Sequence, residues 1–148
     1  MLPPIQHAVY IAAEPKRVFK TLTTSNGWDA WFTNGTVIDA RVGGWIQFRW
    51  VNWGPNHITM EDGGPIIDVV PDKSLVFQWK PGDSVTTIRI DLEPRGDGTV
   101  ILLTESGYQS PNGYAECATG WGEALTLLKF YLEHGITYGE IPLPQVCH

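Results

Sequence analysis

The chain has 148 residues, with ten lysines and arginines against sixteen aspartates and glutamates, for a net charge of −6. This length allows one domain to bury a sizeable core without a disulfide or a metal. Hydrophobic residues make up 43% of the sequence, which excludes intrinsic disorder. An acidic chain with no run of basic residues lacks the electrostatic surface that nucleic-acid binding requires, so no nucleic-acid partner is expected.

The aromatic content is high for one small core. The chain holds seven tryptophans, five tyrosines and five phenylalanines. Each large ring can bury roughly 150–250 Å². The composition therefore predicts either a core built around rings or a cavity that rings line.

The N-terminal residues have neither the basic nor the apolar segment of a signal peptide. No apolar run approaches the ~20 residues that a membrane helix needs, so a cytoplasmic protein without membrane insertion is expected. Cys117 and Cys147 have no ligand partner at motif spacing, which predicts free thiols. The histidines are scattered, and we therefore expect no metal and no other cofactor.

The N-terminal part predicts one strand followed by two short helices. Apolar residues alternate over residues 5–12, as in a strand. Glu14-Pro15 opens the first helix, because proline favours the first helical position. Ser25 or Asn26 is suited to cap the second helix. That helix carries three rings at helical spacing, namely Trp28, Trp31 and Phe32.

From Gly35 onward the apolar period changes to two, which predicts antiparallel strands joined by short turns. Turn signals occur at residues 43–44, 53–56, 71–73, 81–83 and 95–98. Residues 63–65, Gly-Gly-Pro, interrupt the alternation, so a bulge or loop is expected there. Strand register between Trp53 and Gly64 stays open.

Residues from about 112 to 134 predict one long helix. Trp121, Leu125 and Leu128 fall on its apolar stripe, and Gly135 is placed to cap its C-terminus. Glycines on both sides of Trp121 allow a close backbone approach there. A tail from about residue 139 contains two prolines and is expected to pack loosely.

This order of elements resembles the helix-grip fold of the START and pollen-allergen-like superfamily. Residues 12–23 (AAEPKRVFKTLT) and 28–32 (WDAWF) are similar to its first two helical motifs. Residues 42–48 (VGGWIQF) and 70–79 (VPDKSLVFQW) are similar to its second hairpin and central turn. Gly120-Trp121 and the residues after it resemble its C-terminal helix. Together these motifs resemble homologues of the heat-shock protein 90 ATPase activator of the C-terminal domain type.

The resemblance implies an α+β fold. A curved antiparallel sheet of six or seven strands would wrap around one long C-terminal helix, with two short helices after the first strand. Residues 1–148 would form a single helix-grip domain. The resemblance also implies an apolar cavity between the sheet and the long helix, which members of this superfamily use to bind small hydrophobic molecules.

The strand period assigns side chains to the face that meets the helix. Two interpretations of that face stay open, a solid core and a partial cavity lined by rings. The residues expected on the inner face are Ile46, Phe48, Trp50, Leu75, Phe77, Trp79, Ile88, Ile90, Ile101 and Leu103. Trp31 and Trp121 are expected to approach the same space.

Three polar side chains are candidates for orienting a ligand. Glu105 lies two residues after Leu103 and shares its inner face, although a carboxylate at a strand end can also simply reach solvent. His57 is predicted on a strand of the sheet, and Tyr108 could supply a hydroxyl at the rim. A His57–Glu105 acid–base pair would suit a cyclase- or hydrolase-like enzyme, but no catalytic motif supports one.

The leading hypothesis is a protein that binds a small hydrophobic or aromatic molecule and is not an enzyme. A co-chaperone-like module is the less favoured alternative, a cyclase- or hydrolase-like enzyme is the third, and a homodimer stays open. The predicted ligand-binding residues are Trp31, Phe48, Trp50, His57, Phe77, Trp79, Leu103, Glu105, Tyr108, Trp121 and Leu125.

Overall fold

The computed structural model describes residues 1–55 and 57–137. One strand and two short helices come first, followed by six strands and a long helix. The strands are β1 (Ile5–Ile11), β2 (Val37–Ile38), β3 (Trp45–Trp53), β4 (Ile58–Val70), β5 (Ser74–Trp79), β6 (Thr86–Arg95) and β7 (Gly98–Ser106). The helices are α1 (Pro15–Leu22), α2 (Ser25–Asp29) and α3 (Tyr114–His134). The predicted loose tail lies outside the described residues.

The seven strands form one curved antiparallel sheet in the order β1-β7-β6-β5-β4-β3-β2. From β2 to β7 each strand pairs with its neighbour in sequence, while β1 closes the other end against β7. Helix α3 packs against the curved sheet through one apolar cluster, so the predicted α+β helix-grip fold is confirmed. Among the helices of the described residues, none combines the length and apolar character needed to cross a bilayer.

Residues at the helix ends determine where the helices begin and end. Pro15 stands at the start of α1, as predicted. The cap of α2 is Thr24, whose hydroxyl accepts a hydrogen bond from Gly27 N, so the expectation of Ser25 or Asn26 was one residue or more too late. Gly135, with φ of 69°, ends α3 as predicted.

Residues 63–65 lie inside β4, contrary to the expected loop or bulge. Glycine is required there because neighbouring strands come very close. A Cβ on Gly63 would overlap the carbonyl oxygen of Ile46, and one on Gly64 would overlap that of Gln78. The pairing of β4 shifts register on either side of residues 63–65. The shift against β3 lies between Trp50 and Trp53, and the shift against β5 lies between Ile66 and Asp68.

The core lies between the sheet and α3. All the strand residues expected to face the helix are buried and belong to one apolar cluster. On α3 the buried side chains begin at Trp121 and continue to Leu132, whereas residues 114–120 bury none. The sheet and the helix are therefore tightly packed along the C-terminal part of α3, and less so at its start.

Candidate functional site

A cavity of about 500 Å³ opens between the first turns of α3 and the β3–β4 hairpin. Its volume falls within the range of small-molecule sites. The lining residues are Phe32, Trp50, Trp53, Ile58, Met60, Asp62, Trp79, Pro81, Gly113, Glu116, Cys117, Gly120, Trp121 and Glu123. Most of this surface is apolar, and its polar groups are few.

Five aromatic rings form a continuous wall of the cavity. Phe32, which follows α2, stands at its centre, with ring centroids 5.3 Å from Trp50, 5.7 Å from Trp53 and 6.2 Å from Trp121. Trp121 in turn lies 5.4 Å from Trp79. The edge-to-face and tilted arrangements are those that aromatic pairs prefer. Each ring contacts the next, so the five rings restrict one another's orientation.

Glu105 on β7 fixes two of these rings from behind. Its carboxylate is fully buried and accepts hydrogen bonds from Trp79 Nε1 at 2.7 Å and Trp121 Nε1 at 3.1 Å. Thr86 Oγ donates a third, at 2.6 Å. A buried carboxylate is costly unless its oxygens are satisfied, and here three donors satisfy them. Glu105 therefore positions the indoles of Trp79 and Trp121.

Asp62 on β4 brings a carboxylate to the cavity wall. Its Oδ1 accepts hydrogen bonds from Gly63 N and Lys80 N, while Oδ2 is buried and has no partner among the described residues. Burial, with a further contribution from the negative charge of Glu105, raises the pKa of Asp62 above its ordinary value. Asp62 therefore holds one buried oxygen without a hydrogen-bond partner beside the cavity.

Tyr108 and Cys117 form a polar pair beside the cavity. Tyr108 is buried, and its hydroxyl has no partner by hydrogen-bond geometry among the described residues. Burial above all, and then the neighbouring Cys117 thiol and Glu105 carboxylate, raise the pKa of Tyr108. Burial likewise raises the pKa of Cys117 to about 11. Both groups are therefore neutral at physiological pH, and Cys117 is not an activated nucleophile.

The cavity side of α3 is open because of one glycine. No neighbouring atom of the described residues lies within 4 Å of where a Cβ on Gly120 would stand. Glu116 and Glu123, at positions i and i+7, line the same side. A glycine between two acidic residues thus leaves open space next to the helix.

Trp50, Trp79 and Trp121 are the predicted site residues that line the cavity. The other predicted apolar residues are packed in the core and do not line it, namely Trp31, Phe48, Phe77, Leu103 and Leu125. They share the inner face, but the cavity occupies only one end of it.

The three predicted polar residues lie outside the lining. Glu105 is behind the indoles and Tyr108 is behind Cys117. His57 is not on a strand but in the exposed turn before β4, with φ of 51° and its Nδ1 hydrogen-bonded to Asn52 Oδ1. The considered His57–Glu105 acid–base pair therefore does not form, because the turn after Gly54 carries His57 to the surface.

Sequence reasoning missed the polar lining residues, Asp62, Glu116, Cys117 and Glu123. A signal existed for the last three. Glu116, Gly120 and Glu123 follow one another at spacings of four and three, and Cys117 lies three residues before Gly120, which places all four on one face of α3. Within residues 1–55 and 57–137, no three His, Cys, Asp or Glu side chains converge as a metal site would require.

A curved sheet gripping a long helix, with a ring-lined cavity between them, defines a helix-grip protein. Residues 12–133 match the family described as "Activator of Hsp90 ATPase homolog 1-like protein", and the chain belongs to this family. No curated protein matches the chain significantly in sequence.

Solved structures agree with this fold. The solution structure of the Aha1 dimer from Colwellia psychrerythraea is similar at 27% identity and a TM-score of 0.76, over 90% of this chain and 98% of that one. Protein CV1439 from Chromobacterium violaceum is similar at 20% identity and a TM-score of 0.75, over 89% of this chain and 99% of that one. CalU16 from Micromonospora echinospora is similar at 22% identity and 0.71, over 89% and 77%. At these identities, the last two show the fold alone.

Proposed function

We propose that this chain binds a small hydrophobic molecule in the cavity between the β3–β4 hairpin and α3. The observation that carries the proposal is a cavity of about 500 Å³ walled by five rings that contact one another. Exposing such a surface to water is unfavourable, and an apolar ligand would remove it from water. The buried Glu105 holds two of the rings in place, so ligand binding would lose little side-chain conformational entropy there.

Gly120 provides a sharp test. Gly120→Phe would place a ring in the cavity, whereas Gly120→Ala adds one methyl group where no neighbouring atom stands. A set of small hydrophobic compounds is titrated against the wild type and both variants, with tryptophan fluorescence and melting temperature as readouts. We expect saturable binding by the wild type and Gly120→Ala, and loss of it in Gly120→Phe. Circular dichroism confirms that each variant is folded, and Gly120→Leu serves as a second filling variant.

Two results would overturn the proposal. In the first, no compound changes the fluorescence or the melting temperature of the wild type. In the second, compounds act equally on the wild type and the folded Gly120→Phe variant, which would place their binding elsewhere.

A homodimer is a second candidate property. Val37 and Trp45 are 66% and 51% exposed, and the pairing of Val37 with Gln47 places both on the same face of the sheet. The similar Colwellia psychrerythraea protein is a dimer. Light scattering after size exclusion should give twice the chain mass, and Trp45→Ser should shift it toward the monomer. A wild-type monomer at every concentration tested would contradict this.

A co-chaperone-like module, the function that the family description suggests, is the alternative. It is tested by adding the chain to an Hsp90 ATPase assay. A ligand-binding protein should leave the ATPase rate unchanged, and a concentration-dependent stimulation would favour the alternative.

A further inference from the structure

The charged groups that line the cavity are all of one sign. Asp62, Glu116 and Glu123 are carboxylates, and no described lining residue is a lysine, arginine or histidine. None of the three carboxylates is ion-paired with a described residue. The fully buried Glu105 lies just behind Trp79 and Trp121 and receives only neutral donors.

The negative charges converge on the cavity from both layers of the fold. Asp62 comes from the sheet, and Glu116 and Glu123 come from α3. The pKa of Cys117, another lining residue, is raised mainly by burial. The negative charges of Glu105, Asp62 and Glu116 raise it further. Glu116 and Glu123 are exposed to solvent and Asp62 is half-buried. A cationic ligand would gain from all three charges, and an anionic ligand would be repelled.

The aromatic wall also favours a positively charged ligand. The face of an indole carries negative electrostatic potential and attracts a cation within about 6 Å of its centroid, and tryptophan is the best residue for this contact. Four of the five rings of the wall are indoles, namely Trp50, Trp53, Trp79 and Trp121. The indole N–H groups of Trp79 and Trp121 point to Glu105, which leaves other parts of both rings to the cavity.

We propose that the ligand is an organic cation, an apolar body that carries a quaternary or protonated ammonium group. The rings would contact the apolar body and the ammonium group, and the carboxylate charge of Asp62, whose Oδ2 is buried without a partner beside the cavity, would attract the positive charge through space. This inference rests on the proposed function, because it names the chemical class of ligand for the same cavity.

The test compares two ligands of one shape and different charge, together with an anionic compound. Benzyltrimethylammonium and neopentylbenzene differ in that a quaternary nitrogen replaces a quaternary carbon, so only the cation contributes charge. An anionic aryl compound, 4-phenylbutyrate, completes the set. Dissociation constants are measured by tryptophan quenching and by calorimetry. We expect the cation to bind at least about tenfold more tightly than its carbon isostere, which corresponds to about 1.4 kcal/mol.

Charge-neutralising variants locate the effect. Asp62→Asn and the double variant Glu116→Gln/Glu123→Gln should each reduce the preference for the cation while neopentylbenzene still binds. Asp68→Asn is the matched control, because Asp68 is exposed on the same strand, outside the cavity lining. It should leave the preference unchanged.

The outcomes separate this inference from the proposed function. Equal or tighter binding of neopentylbenzene or 4-phenylbutyrate would overturn the cation inference and leave cavity binding standing. A cation preference that all the cavity variants retain would also overturn it. If none of the three compounds binds while neutral compounds of the wider set do, the cation inference alone fails. If nothing binds, both fail.

Discussion

Glu105 and Trp121 join the two layers of the fold through a hydrogen bond of 3.1 Å from the indole Nε1 to Oε1 of the buried carboxylate. Glu105 is on β7 and Trp121 is on α3. The other oxygen of Glu105 accepts from Trp79 and Thr86. One side chain of the sheet therefore sets the orientation of rings from both layers where the cavity begins.

Glu105→Gln should destabilise the protein by about 1–3 kcal/mol. The amide oxygen can replace only one carboxylate oxygen, so the amide NH₂ meets at least one of the donors that Glu105 now accepts. Urea denaturation measures the loss. Glu93→Gln, at an exposed position, is the control and should stay close to the wild type. Equal stability of the two variants would contradict the positioning role of Glu105.

Trp121→Phe should also cost about 1–3 kcal/mol, because the ring is largely kept but Oε1 of Glu105 loses its donor. The double variant with Glu105→Gln should lose less than the sum of the two single losses, since both changes remove the same hydrogen bond. The stabilities are compared in urea. Strict additivity of the two losses would indicate that the bond contributes nothing.

Asp62→Asn should raise the melting temperature at neutral pH. Because the pKa of Asp62 is raised in the folded state, the folded chain holds this proton after the unfolded chain has released it. Stability from this group therefore falls as pH rises through the ordinary value of 3.8 toward the raised pKa, and the cost is fully present above it. The amide keeps an oxygen for Gly63 N and Lys80 N.

The pH profile provides the check on Asp62. The difference between Asp62→Asn and the wild type should shrink as pH falls below 3.8, where Asp62 is neutral in both states. Melting curves from acidic to neutral pH measure it, with Asp68→Asn as the control. A difference that grows toward acidic pH would reverse the assigned sign.

Gly120→Ala should stabilise the protein by about 0.5–1 kcal/mol, because alanine orders a helix at lower entropic cost. The added methyl group meets no neighbouring atom of the described residues. Gly122→Ala is the matched comparison within α3. Its Cβ would stand 3.2 Å from a ring carbon of His7, so the gain should be smaller or absent. Melting temperatures of the two variants, measured side by side, test the difference.

Periodicity alone was enough to predict the core of the fold. The alternation at Phe48 and Phe77 holds because buried side chains of a strand must point to one side. The inward direction of Glu105 follows from the same rule, since it lies two residues after Leu103. The period could not predict the hydrogen-bond partners of Glu105, because the Trp121 indole comes from another layer of the fold.

The position of the cavity could not be predicted from strand period. It depends on how far the β3–β4 hairpin and the first turns of α3 diverge, which is a property of the packed layers. Asp62 illustrates the difficulty. It lies next to Gly63 and Gly64, whose sequence favours a loop, yet close strand approach makes all three residues part of β4. Cavity walls are thus set by the tertiary contacts that glycine permits.

The uneven burial along α3 has a consequence for how the protein can open. From Trp121 to Leu132 the helix is held by buried side chains, while residues 114–120 bury none. Segments with little buried apolar surface unfold locally at a lower free energy than the global transition. The first turns of α3 are therefore expected to open locally at a lower free energy than the remainder of the helix. Their amide hydrogens should exchange with solvent faster than those after Trp121, and occupancy of the cavity should slow that exchange.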